Sequence, residues 1–210
     1  MGRKKVDQGM IIKALDWAYG AAIEGVPAMD SAEELAASYM KNGGSRIDQA
    51  NSLIRWQVAK AGTSGFVTGL GGLITLPLTI PANVASVLFV QLRMIAAIAH
   101  IGGHDVRDDQ VRSLAYLCLC GSAAGDILKD VGIQVGLKLT KAAIQRISGE
   151  TLKKINQAVG FRLLTKFGSK GVLNFGKAIP IIGGVIGGTF DSVTTNAIGN
   201  VARNTFIGSE

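Results

Sequence analysis

The chain has 210 residues; 48% are hydrophobic, only 18% are charged, and the formal net charge is +7. Soluble domains average about 25% charged residues, so this is not an ordinary soluble composition. Aromatic residues make up 6% while glycine reaches 28 residues, so the apolar surface is mostly aliphatic and small, which lets helices approach closely in protein or in membrane.

The first ten residues, MGRKKVDQGM, hold no apolar core, so no signal peptide is expected. Val6 stands where a myristoylation pattern needs Ser or Thr. From Val6 to Glu24, Ile12, Leu15, Tyr19 and Ile23 recur at helical spacing, and Gly25-Val26-Pro27 ends that helix. Asp30 with Glu33 has capping-box spacing and predicts a short helix over SAEELAASYMK, stopped by Asn42-Gly43-Gly44. Ser45 with Asp48 predicts another N-cap, and Ile47, Ala50, Ile54 and Val58 line one face of the helix that follows.

Residues Ala61 to Leu92 carry no charge, between Lys60 and Arg93. The first half is glycine-rich, with Gly65 and Gly69 spaced as a small-xxx-small pair, and Pro77 limits any helix there. Pro81 suits the first position of a new helix that runs to about Ile101 and stops at Gly102-Gly103. That helix is apolar nearly all round, the pattern of a central buried helix or of a membrane span. Arg93 near its middle argues against spanning, because an arginine at the bilayer centre costs about 2.5–3.5 kcal/mol on insertion scales. A buried helix with Arg93 paired to an acid is the favoured reading.

Val111 to Gly149 predicts one long or broken helical region, with Gly121 and Gly125 as a second small-xxx-small pair. Cys118 and Cys120 point about 200° apart on a helix, so they are read as buried thiols that share neither a bridge nor a metal. Thr151 to Phe167 is amphipathic, with Ile155, Val159, Leu163 and Leu164 on one side and Lys153, Lys154, Arg162 and Lys166 over much of the rest. Between Lys138 and Lys177 there are nine Lys or Arg against one acid, Glu150. A one-signed field of this kind attracts anionic lipid, with nucleic acid the less favoured partner. In the last apolar block, Ala178 to Phe190, Pro180 is expected to open a helix. Gly184, Gly188, Asp191 and Thr195 then fall on one face, which makes Asp191 a candidate partner for Arg93.

No strand pattern stands out, so the expected fold is all-α: a single-domain helical bundle around a central Gly/Pro-bounded apolar helix, with residues 1–44 as N-terminal helices and 45–210 as the core. Gly171 to Ala178 approaches a phosphate-binding loop but ends in Ala178, where a hydroxyl is required. His100, His104 and Asp105 are thin as a metal set, and no cofactor is expected. No nucleophile motif supports catalysis. The candidate ligand or lipid contacts are Arg93, Asp191, Gly69, Gly184 and Gly188, and the candidate cationic surface is Lys153, Lys154, Arg162 and Lys166.

Three stretches carry a resemblance: GFVTGLGGLITLPLTIPANV, RMIAAIAHIGGHDVRDDQVRSLAYLCLCGSAAGDILKDVG and GKAIPIIGGVIGG. Together, over roughly residues 55 to 205, the chain resembles the EcsC family. The resemblance implies a bacterial, helical, cytoplasmic protein tied to membrane processes, and it brings no catalytic residues with it. The expected function is a peripheral protein of the inner face of the cytoplasmic membrane. It would bind anionic lipid or another apolar ligand there, possible membrane-protein partners included. The alternative is a membrane-inserting or pore-forming effector.

Overall fold

The computed structural model describes residues 7–27, 29–61, 82–133, 139–167 and 185–208. Among these residues the fold is all-α. The elements are α1 (Gln8–Glu24), α2 (Ala32–Met40), α3 (Arg46–Ala61), α4 (Ala82–Ile101) and α5 (Asp109–Cys118), then a 3-10 turn (Gly121–Ala123), α6 (Ala124–Asp130), α7 (Lys141–Gln145), α8 (Gly149–Phe167) and α9 (Val185–Phe206).

Local chemistry sets most of these boundaries. Asp7 caps α1 by accepting from the Met10 N–H at 2.8 Å. The box that opens α2 lies one residue later than the Asp30–Glu33 spacing suggests. Ser31 Oγ accepts from the Glu34 N–H, and Glu34 Oε2 accepts from the Ser31 N–H at 2.8 Å. Asp30 and Glu33 have other uses: the Asp30 carbonyl accepts from Arg93, and the Glu33 carboxylate pairs with Arg107. At α3, Ser45 and Asp48 form the expected reciprocal pair. The predicted long region after Val111 is broken into α5, the 3-10 turn, α6 and α7.

The core is built around α4. From Ala85 to Ile101 its side chains are nearly all buried, and α1, α2, α3, α5 and α9 all pack on it. Such a helix has no solvent side to make polar, which is why its sequence is apolar all round. Among the described residues no helix is long and apolar enough to cross a membrane. The Tyr19 and Tyr116 rings meet edge to face at 5.7 Å between α1 and α5. The Tyr19 hydroxyl donates to the Val106 carbonyl, and that of Tyr116 donates to Asp16 Oδ1, each at 2.8 Å. Burial pushes both phenols above their ordinary range.

Helix α4 ends at a Schellman turn. The His104 N–H bonds to the Ala99 carbonyl and the Gly103 N–H to that of His100, with Gly103 at φ 82°. Several elements converge on this turn. Arg46 of α3 donates to the Gly102 carbonyl at 3.3 Å and Lys141 of α7 to the Gly103 carbonyl at 2.9 Å, placing cations at the negative end of the helix. A Cβ on Gly102 would lie 2.5 Å from the Phe206 carbonyl oxygen, so only glycine permits this approach of α9.

These contacts fix helix direction. The C-terminal ends of α4 and α9 meet the N-terminal end of α3 at this junction. Farther along, Ser192 of α9 donates to the Val58 carbonyl of α3 at 3.2 Å. The C-terminal end of α3 and the N-terminal ends of α4 and α9 therefore lie together at the opposite end of the bundle.

Candidate functional site

Arg93 is 7% exposed in the middle of α4. Its Nε donates to the main-chain oxygen of Asp30 at 2.5 Å. Burial pushes the guanidinium below its ordinary value, and the nearby Asp30, Glu34 and Tyr39 oppose that shift. Arg93 thus docks the chain entering α2 onto the central helix, and its buried charge is offset by acids of that same segment. The backbone of Asp191 lies in α9, but its side chain is outside the described set, as are Gly69, Gly184 and the surroundings of Gly188. The near-match to a phosphate loop at Gly171–Ala178 also lies outside the described residues.

The histidines do not share a site. His104 is buried, with Nε2 2.8 Å from the Phe206 carbonyl and its ring edge-on to Phe206, while His100 is half-buried. Among the described residues no group of three or more His, Cys, Asp or Glu is placed to hold a metal. Neither cysteine is in a disulfide. Cys118 is fully buried and its thiol is pushed up to about 12, while Cys120 is half-buried.

The cationic positions divide. Ser148 Oγ accepts from the Thr151 N–H at the start of α8. Leu152, Ile155, Val159 and Leu163 then bury one side of that helix against α1, α5 and α6. Gly160 makes the approach to α1 close: a Cβ there would lie 3.0 Å from Gln8. Lys153, Lys154 and Gln157 consequently face outward. Phe161 shares this outward face with Lys154, seven residues earlier, and is 63% exposed. Lys154 pairs with Glu150 at 2.9 Å on the surface. Arg162, one residue past Phe161, is rotated about 100° from it and lines a cleft between α8 and the end of α5. Lys166 is in α8, with its side chain outside the described set.

Sequence reasoning missed Phe161. Its signal was its phase: it falls on the lysine side of the α8 wheel, away from Ile155 and Val159. Trp56, 52% exposed on α3 with Lys60 Nζ 5.1 Å from its ring centroid, was missed too. What the geometry assembles is a cationic, partly aromatic outer helix face and an adjoining cleft, a surface suited to contact with an anionic, partly apolar partner.

No match to a curated protein or to a solved structure accompanies these features. The model of the EcsC protein family matches residues 31–207, from the capping serine of α2 through the end of α9. With most of its length matched in this way, the chain belongs to the EcsC protein family.

Proposed function

We propose that this EcsC family protein is a peripheral membrane protein that binds anionic lipid, or another apolar ligand presented at the surface, on the cytoplasmic side of the membrane. The observation that carries the reading is Phe161, exposed on the outward side of α8 about two turns along from the exposed Lys153 and Lys154. An exposed aromatic among lysines suits the membrane interface. Burying a side chain of this size contributes about 1.5–3 kcal/mol, and each lysine close to an anionic surface contributes about 1 kcal/mol. The four cations of α8 against the single acid Glu150 give the helix the required sign.

Flotation with vesicles of phosphatidylglycerol and phosphatidylcholine tests the reading. The protein is expected to float with them at low salt, to be released by high salt, and to lose binding on Phe161→Ser or on Lys153→Gln with Lys154→Gln. No flotation with anionic vesicles at low salt sinks it.

One observation favours a second reading, a membrane-inserting effector. The C-terminal end of α3 and the N-terminal ends of α4 and α9 lie at the same end of the bundle, and in the chain these ends border residues 62–81 and 168–184, which carry most of the glycine-rich apolar sequence. Val193, 70% exposed near the start of α9, adds apolar surface to that helix. Release of a trapped dye from anionic vesicles is the distinguishing result; binding without leakage supports the peripheral reading alone.

A further inference from the structure

The cleft beside the outward face of α8 has a volume of about 300 Å³. Leu119, Ala123 and Leu163 supply its apolar lining, and Cys120, Ser122 and Arg162 supply polar groups. Arg162 is the one charged residue in the lining, no acid accompanies it, and its guanidinium is in no ion pair among the described residues. The Ser122 hydroxyl is exposed and likewise has no hydrogen bond among the described residues. Thr165 completes the wall, but its hydroxyl donates to the Arg162 carbonyl at 2.7 Å, so that proton is not offered to the cleft.

A guanidinium with no ion pair and a hydroxyl with no hydrogen bond among the described residues, beside the exposed Phe161, match an anion attached to an apolar chain. Guanidinium groups bind phosphate oxygens through paired, charge-assisted hydrogen bonds. A volume of about 300 Å³ is at the lower bound for ligand pockets, which suits a head group rather than a whole lipid. The acyl chains of such a ligand would remain in the bilayer, and the preceding residue, Phe161, is exposed to meet it.

We propose that this cleft takes the phosphate of an anionic glycerophospholipid. Arg162 and Ser122 hold its oxygens, and the exposed Phe161, next to Arg162 in the chain, meets its apolar part. The inference deepens the peripheral-membrane reading and rests on it for the source of the phosphate. A soluble phosphate ester offers the same chemistry without a membrane.

Cys120 reports on occupancy. It lines the cleft and is half-buried, whereas the Cys118 thiol is buried and pushed up to about 12, so N-ethylmaleimide should label Cys120 alone. Labelling of the full chain is followed by intact mass and peptide mapping. It is compared in buffer, with phosphatidylglycerol–phosphatidylcholine vesicles, with phosphatidylcholine vesicles, and with glycerol 3-phosphate. Phosphatidylglycerol vesicles are expected to slow Cys120 labelling about fivefold. Arg162→Gln, an exposed change that leaves the helical spectrum intact, abolishes this protection, whereas Arg55→Gln, an exposed charge removal on α3 away from this face, retains it.

Protection by glycerol 3-phosphate without vesicle binding supports the phosphate site and removes the membrane as its source. Vesicle binding with Cys120 labelled at the free rate, and with Arg162→Gln no weaker than Lys153→Gln, overturns the cleft assignment and leaves diffuse charge attraction. Protection by neither vesicles nor glycerol 3-phosphate overturns it as well.

Discussion

The Nε of Arg93, in the middle of the buried helix α4, donates to the main-chain oxygen of Asp30, 2.5 Å away. The acceptor belongs to the peptide backbone and not to a carboxylate, so the bond depends on how the chain enters α2 more than on which side chain residue 30 carries. Arg93→Met should lower stability by about 1.5–3 kcal/mol, because it removes a charged donor and leaves the Asp30 carbonyl without its partner. Asp30→Asn, which keeps the carbonyl, should cost well under half of that. Urea unfolding of the two variants decides the point, and an equal loss in both would make the Asp30 carboxylate the partner that matters.

Gly199 of α9 lies against Ile54 of α3, where an added Cβ would stand 2.8 Å from Ile54 Cγ1 and 3.0 Å from its Cγ2. Both atoms are on a branched, buried side chain that cannot swing aside. Gly199→Ala is expected to lower the unfolding midpoint and to cost about 1–3 kcal/mol through overpacking. Combining it with Ile54→Ala should recover part of that loss, so the two effects should not add.

His104 gives the fold a defined pH response. Burial lowers its pKa from the ordinary 6.5; the bond to the Phe206 carbonyl and the charge of Asp108 oppose the shift, and Lys141 and Arg46 add to it. With the folded pKa below the unfolded one, the unfolded chain binds more protons in the window between them. Stability from this group is therefore complete above about pH 6.5 and is lost as pH falls toward the folded value. Thermal unfolding between pH 7.5 and 5 should show the decline, and His104→Gln should flatten that part of the profile.

Gln57 is 5% exposed on α3, and its Oε1 is buried without a hydrogen-bond partner among the described residues. Gln91 of α4 and Thr195 of α9 are also buried. Each of the three lies eleven residues from the junction of Arg46, Gly102 and Phe206 along its own helix, so they share one level of the three-helix packing. Leaving a buried acceptor unsatisfied costs about 1–3 kcal/mol. Gln57→Met, which keeps the length without the amide, should raise the unfolding midpoint; a fall in stability would show that Oε1 has a partner such as a bound water.

Much of this fold could be read from residues that act locally. Asp7, Ser45 and Ser148 cap helices because their oxygens reach N–H groups three residues ahead, and Gly103 ends α4 because the turn needs a left-handed residue. The apolar circumference of α4 left two readings, a buried helix or a membrane span, and Arg93 tipped the expectation toward a buried helix; the side chains from Ala85 to Ile101 are nearly all buried. These are short-range properties or properties of periodicity, and both are written in the order of the chain.

Other features depend on which residues meet across the fold. Two overlapping boxes, Asp30–Glu33 and Ser31–Glu34, satisfy the same spacing. The second forms, while the Glu33 carboxylate pairs with Arg107, 74 residues away, and the main chain of Asp30 is held by Arg93, 63 residues away. The lysine side of α8 was visible in its periodicity, but packing against α1, α5 and α6 determined that Phe161 stays outside and that Arg162 turns into a cleft whose opposite wall comes from Leu119 to Ala123. Sequence alone determined the helices and the sign of their charge. Tertiary structure decided partners and exposure, because a hydrogen bond or a cleft wall is a relation between segments that no local pattern records.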